Sequence, residues 1–129
     1  MSHAVRFLGH RDDATTLIAG CDVLAIPSLP ASPGSDVEGF PLVALESMAV
    51  GTPVVGYRVG GLHEQVGECG VLVAMRDRGA LSQAIIHLSN DPELRDRLGR
   101  CGQRRVHERF TRRQMVDQLK RRYREAARR

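Results

Sequence analysis

Short apolar runs, separated by glycine, proline and charged residues, make up the first three fifths of the chain. Four of these runs have the length of short strands, and they predict strands at residues 5–9, 22–26, 52–57 and 70–73. The run at residues 52–57 is also rich in β-branched residues, which predicts a buried strand. Between them, the apolar spacing and the end signals predict helices at residues 12–20, 41–50 and 62–66. Pro41 suits a first helical turn, which needs no backbone donor, and Gly51 suits a helix end.

Strands that alternate with helices, and that are apolar throughout, predict a parallel α/β sheet. From residue 79 onward the apolar spacing is helical, with Asp91 and Thr111 placed to cap two further helices. We therefore expect a single domain over residues 1–129. Its α/β part covers residues 1–76 and its helical part covers residues 77–129.

The candidate chemistry is concentrated in residues 36–57. Glu46 is the only charged residue between Pro41 and Tyr57, and a buried carboxylate without a partner is costly. A second carboxylate, Glu38, precedes it with seven residues between the two. Gly39 would let the backbone approach a ligand closely, and the free N–H groups of the following helical turn favour an anion.

A nucleotide-sugar would satisfy all three features, because it offers a diphosphate to the helix N-terminus, a ribose diol to Glu46 and sugar hydroxyls to Glu38. The alternative interpretation needs no ligand: Glu46, with Ser47, marks a solvated helix face, and Glu38 is an ordinary loop charge. The pattern alone leaves both interpretations open.

Composition narrows the class of protein. The three cysteines are odd in number and widely spaced, so neither a disulfide framework nor a zinc site is expected. No apolar run approaches the roughly 20 residues of a membrane span, and the start of the chain does not have the pattern of a signal peptide, so we expect a cytoplasmic protein.

The net charge of +4 divides into −4 over residues 1–89 and +8 over residues 90–129. Arginines without interleaved aromatics give nucleic-acid binding little support.

The stretch EGFPLVALESMAVGTPVVG resembles the donor-site signature of retaining, family 4-type glycosyltransferases (glycosyl transferases group 1), which have the GT-B fold. The flanking segments VRFLG, DVLAIPS, GGLHEQV and GVLV agree with this family, so the resemblance runs from residue 5 to about residue 123. The insert SLPASPGSDVEGFP is similar to the branch that builds exopolysaccharides such as colanic acid. Pro41 stands where the family usually has glycine.

The resemblance implies a partial GT-B C-terminal domain: a Rossmann-like parallel sheet with helices on both faces and a helical C-terminal tail. It also implies a role for each matching residue. Glu38 would be the catalytic residue beside the reacting sugar carbon, and Glu46 would hold the ribose. The backbone at Gly39, Phe40, Pro41 and Leu42 would face the diphosphate and sugar, and Phe7 and Leu8 would lie near the base. No metal and no cofactor are expected, since the nucleotide-sugar is a substrate.

The resemblance also implies what this chain lacks. The family's cationic Arg and Lys and its acceptor domain belong to a segment before residue 1, so we expect the chain alone to be incomplete and inactive. Its partner would be an N-terminal acceptor domain, a partner chain or a second copy, and its basic helices could contact a membrane surface. The other functional hypothesis is a stand-alone, non-catalytic nucleotide-sugar-binding or assembly module.

The family's strand order places two absent strands between residues 5–9 and 22–26. Such a gap would leave unpaired strand edges. We therefore expect that residues 5–9 move to pair directly with residues 22–26, that a second copy of the chain fills the gap, or that the chain folds only with its missing half.

Overall fold

The computed structural model describes residues 4–29 and 39–128. Its helices and strands, in chain order, are α1 Ala14–Ala19, β1 Leu24–Ile26, α2 Leu42–Val50, β2 Val54–Tyr57, α3 Leu62–Val66, β3 Gly70–Val73, α4 Arg78–Asn90, α5 Pro92–Arg109 and α6 Arg112–Ala126.

Three parallel strands form the described sheet, in the order β1-β2-β3. Leu24 pairs with Val54, and Val54 pairs with Gly70. Helices α2 and α3 provide the two crossovers, as expected when parallel strands follow one another in a sheet. The predicted parallel α/β architecture is confirmed.

Helices cover both faces of this sheet. Successive side chains of β2 point to opposite faces, so β2 contributes to a core on each face. Val54 packs in a core with residues of α2 and α3, together with Cys101 and Val106 of α5. Val55 and Tyr57 pack in a second core with α4 and with the first part of α5. Helix α5 therefore contributes to both cores.

Residues 5–9 do not form the predicted strand. They are exposed and irregular, and Phe7 is 95% exposed. β1 is also shorter than predicted, and among the described residues its outer edge pairs with nothing. An isolated apolar run gains no ladder hydrogen bonds, so apolar composition alone does not make residues 5–9 a strand. Their direct pairing with β1 does not occur.

The predicted caps of α5 and α6 and the predicted end of α2 are confirmed. The Asp91 side chain accepts a hydrogen bond from the Leu94 N–H at 2.8 Å, and Thr111 with Gln114 forms a capping box on α6. Gly51 ends α2 with a φ of 86°, which glycine adopts without strain. Asp13 precedes α1 but caps nothing; Arg11 binds its carboxylate instead and lowers the pKa of Asp13.

Cys69 and Cys101 form a disulfide, which corrects the expectation that the cysteines form no disulfide framework. They are 32 residues apart in sequence, but their Cα atoms are 5.2 Å apart because α5 packs back beside the turn into β3. Spacing along the chain could not show this approach. Cys21 is free and exposed.

Within residues 4–29 and 39–128, none of the helices combines the length and the apolar character needed to cross a lipid bilayer.

Candidate functional site

The candidate site begins at the loop of residues 39–41, which leads into α2. Pro41 is the N-cap residue, with an extended backbone, so the helix starts at Leu42, one residue later than predicted. The Ala44 N–H donates to the Pro41 carbonyl at 3.1 Å. The N–H groups of Leu42 and Val43 lie in the first turn, where no preceding helical carbonyl is available. This end of α2 is therefore the predicted anion-binding position.

The loop is held against α3 at close range. The Gly61 N–H donates to the Gly39 carbonyl at 2.8 Å, and a Cβ atom on residue 61 would lie only 2.1 Å from that oxygen. Glycine is thus required at position 61 by the approach of two backbones. Phe40 packs against Phe110, with ring centroids 5.9 Å apart and planes at 59°.

Two residues that the sequence interpretation missed support the same loop. Gln65 is fully buried, and its Nε2 donates to the Pro41 carbonyl at 3.1 Å. Arg105 of α5 donates in turn to the backbone carbonyls of Gln65 and Glu64, both at 2.7 Å. The one available signal was a glutamine beside apolar Val66 in a short helix. The partners of Gln65 are Pro41 and Arg105, which lie 24 and 40 residues away in sequence. No local sequence pattern indicates contacts of that separation.

Glu46 is exposed on α2, so the premise that it is a buried carboxylate was wrong. The buried face of the helix is formed instead by Ala44, Ser47 and Met48, each with no accessible surface. The exposed stripe contains Leu42, Val43, Glu46 and Ala49. Leu42 is 66% exposed and Val43 36%, so Glu46 is the one charge on an otherwise apolar exposed face. A helix face that only meets solvent is normally rich in polar residues.

The remaining predicted site residues are Glu38, Phe7 and Leu8. Glu38 lies outside the described residues. Phe7 is 95% exposed and Leu8 51% exposed, on a segment that is not a strand. The described structure brings together Gly39, Phe40, Pro41 and Leu42, with Glu46 one turn further along α2. The functional roles of all these residues stay predictions.

A groove of about 490 Å³ adjoins the loop, between the start of α2 and the start of α6. Its lining is mainly apolar and includes Phe40, Leu42, Leu45, Phe110 and Met115. The groove continues the apolar exposed face of α2 toward α6.

A family model described as Glycosyl transferases group 1 matches residues 1–91 of the chain. The chain belongs to this glycosyltransferase family. It is 35% identical over 116 residues to the N-acetyl-α-D-glucosaminyl L-malate synthase of Bacillus anthracis, covering 88% of this chain and 29% of that protein.

Solved glycosyltransferase structures have the same fold as this chain. A sucrose-phosphate synthase from Thermosynechococcus elongatus matches with a TM-score of 0.80 and 35% identity, over 95% of this chain and 30% of that one. HepE of Anabaena, solved in complex with UDP, matches with a TM-score of 0.78 and 28% identity, over 92% of this chain and 33% of that one. The chain thus spans about a third or less of the length of these proteins.

These comparisons confirm the glycosyltransferase family and the GT-B type of α/β fold. The relatives bear the names of glycosyltransferases, so a non-catalytic module is not the favoured interpretation. The resemblance to the colanic-acid-like branch stays a prediction.

Proposed function

We propose that this chain is the donor-binding portion of a glycosyltransferase that transfers a sugar from a nucleotide-diphosphate sugar to an acceptor, with retention of anomeric configuration. The observation that carries this proposal is the exposed face of α2. It starts at a helix N-terminus whose first-turn N–H groups have no carbonyl partner within the helix, and Glu46 is its one charge. The UDP bound by the structurally similar HepE supports the same ligand class here.

In this proposal each part of the site meets one part of the donor. The first-turn N–H groups and the backbone of residues 39–42 bind the diphosphate and the near side of the sugar. Glu46 accepts hydrogen bonds from the ribose hydroxyls. These hydrogen bonds are stronger than those between neutral groups, because the acceptor is charged. Glu38 faces the reacting sugar carbon, and the segment with Phe7 and Leu8 lies near the base. Metal-independent transfer without a cofactor completes the proposal, as the family resemblance implies.

The partner that we propose is an acceptor-binding domain equivalent to the part of the relatives that this chain does not match. It would cover the apolar groove and the exposed face of α6, where Met115 is 56% exposed, Leu119 48% and Tyr123 72%. These three side chains recur every four residues and so share one helix face. Protection of α6 amides from hydrogen exchange, on addition of the separately produced domain, would support this surface. Unchanged exchange would exclude it.

We place the protein in the cytoplasm, at the inner face of the membrane. The observation is the basic surface of α6, which carries exposed Arg112, Arg113, Lys120, Arg121, Arg122 and Arg124. Such a cluster is attracted to anionic lipid headgroups. Sedimentation with vesicles that contain anionic phospholipid tests the contact, and equal sedimentation with neutral vesicles would argue against it.

Calorimetric titration of the chain with UDP, GDP and the corresponding nucleosides tests the proposed donor site. At least one diphosphate should bind, and it should bind more tightly than its nucleoside, because the helix N-terminus interacts with the phosphates. A chain that is folded by circular dichroism but binds neither diphosphate would refute the proposal.

A further inference from the structure

The loop of residues 39–41 has its only described side-chain hydrogen bond from Gln65, which belongs to a different part of the chain. The Pro41 carbonyl that accepts it also accepts the Ala44 N–H at 3.1 Å. The hydrogen bond from Gln65 therefore reaches the first turn of α2 directly, at the end of the helix where the N–H groups have no carbonyl partner within the helix.

The backbone at Gln65 is in turn fixed by Arg105 of α5. The Arg105 guanidinium donates through Nε to the Gln65 carbonyl and through Nη2 to the Glu64 carbonyl. It also lies 5.9 Å from the centre of the Phe110 ring, which packs against Phe40. Arg105 thus supports the loop by two routes, one through Gln65 and one through the two aromatic rings.

The energetics of Gln65 are unusual for a purely structural side chain. Its Nε2 makes one hydrogen bond, but its buried Oε1 has no partner in the part of the chain that the structure describes. A buried acceptor left without a donor cancels, or exceeds, the gain from one neutral hydrogen bond. An apolar residue of similar shape would fill the site at little or no cost in stability, so the hydrogen bond to Pro41 needs another explanation.

From these contacts we infer that Gln65 is a positioning residue for the donor, and that Arg105 fixes it in place. By holding the Pro41 carbonyl, Gln65 sets the orientation of residues 39–41 and of the first-turn N–H groups that meet the diphosphate. The binding part of this inference rests on the proposed function; the effect on the loop does not.

The test compares Gln65→Met with the parent chain and with a matched control, Gln103→Met. Gln103 is an exposed glutamine whose side chain lies beside Gly51, at the opposite end of α2. Methionine is close to glutamine in length but cannot donate to Pro41. The control therefore makes the same chemical change without touching the loop.

Gln65→Met should weaken binding of UDP or GDP about threefold to tenfold, the size expected for the loss of one positioning hydrogen bond. The Tm should stay within about 3 °C of the parent, because the unpartnered Oε1 is removed together with the hydrogen bond. Gln103→Met should match the parent in both. A fall in Tm with unchanged affinity of the folded protein would overturn the inference, since that is the result of a purely structural role.

Amide hydrogen exchange of Ala44 and Gly61, whose N–H groups donate to the Pro41 and Gly39 carbonyls, separates the inference from the donor proposal when it is measured without ligand. Gln65→Met should exchange these amides faster than the parent and faster than Gln103→Met. Equal exchange would overturn the positioning role, whether or not the chain binds a nucleotide. If the parent binds neither diphosphate, the donor proposal fails, and faster exchange in Gln65→Met would still show that Gln65 holds the loop.

Discussion

At the residue scale, Glu46 is the one charged side chain on the exposed face of α2. It is exposed, yet its neighbours on the same helix face are apolar, and Leu42 is 66% exposed beside it. An exposed apolar stripe with a single acceptor suits the ring and diol of a nucleoside better than it suits water.

Replacing Glu46 with alanine should weaken nucleoside diphosphate binding by about 1.5–3 kcal/mol, because charge-assisted hydrogen bonds to the ribose are lost. Calorimetric titration measures this. Glu93→Ala, an exposed glutamate in the first turn of α5, is the control and should bind as the parent does. An unchanged affinity in Glu46→Ala would return Glu46 to the solvated-face interpretation.

Glu38→Ala should impair turnover in the intact enzyme more than it impairs nucleotide binding. Glu38 precedes the loop and is proposed to act on the sugar, where interactions made mainly in the transition state lower kcat and kcat/KM together. Steady-state kinetics with a nucleotide-sugar donor separates the two effects. Parent-like turnover would remove Glu38 from the reaction centre.

At the scale of elements, α5 connects the two cores with α3 and with the segment before β3. It contributes to both cores, donates from Arg105 to the end of α3, and is linked by Cys101 to Cys69, just before β3. Its contacts hold α3, and through α3 the loop at the start of α2.

Reduction of the Cys69–Cys101 disulfide should lower the free energy of unfolding by about 3–4 kcal/mol, the loop-closure value for this separation. Urea denaturation with and without dithiothreitol measures the difference, and Cys101→Ser should reproduce it. Cys21→Ser serves as the control, because Cys21 is free and exposed. A denaturation midpoint insensitive to reductant would show that the disulfide does not contribute to stability.

At the scale of the whole molecule, the described sheet has three strands, and the outer edge of β1 pairs with no described residue. Unpaired strand edges favour association with another chain. The chain also spans 29% of the length of its Bacillus anthracis relative. Both features support the proposal that transfer needs a further domain.

The chain alone should therefore not transfer sugar from a nucleotide-sugar, although it should bind the nucleotide. A donor-hydrolysis assay with UDP-sugars and GDP-sugars tests turnover, and size-exclusion chromatography with light scattering tests association through the open edge. A monomer with transferase activity would contradict the prediction.

The sequence by itself determined the features that depend on local signals. Apolar β-branched runs placed β2 and β3, and capping side chains placed the starts of α5 and α6. Glycine and proline placed the ends of α2. The family was also readable from the ordered motifs around Glu38 and Glu46, since these residues lie close together along the chain.

Only the tertiary structure decided the features that join distant residues. Residues 5–9 were predicted to be a strand but pair with no strand among residues 4–29 and 39–128, so they form none. Cys69 and Cys101 meet because α5 folds back, and Gln65 reaches Pro41 because α3 packs under the loop. Glu46 is exposed because Ala44, Ser47 and Met48 occupy the core side of α2. In each case the outcome depends on which surfaces pack together, and no local pattern encodes that choice.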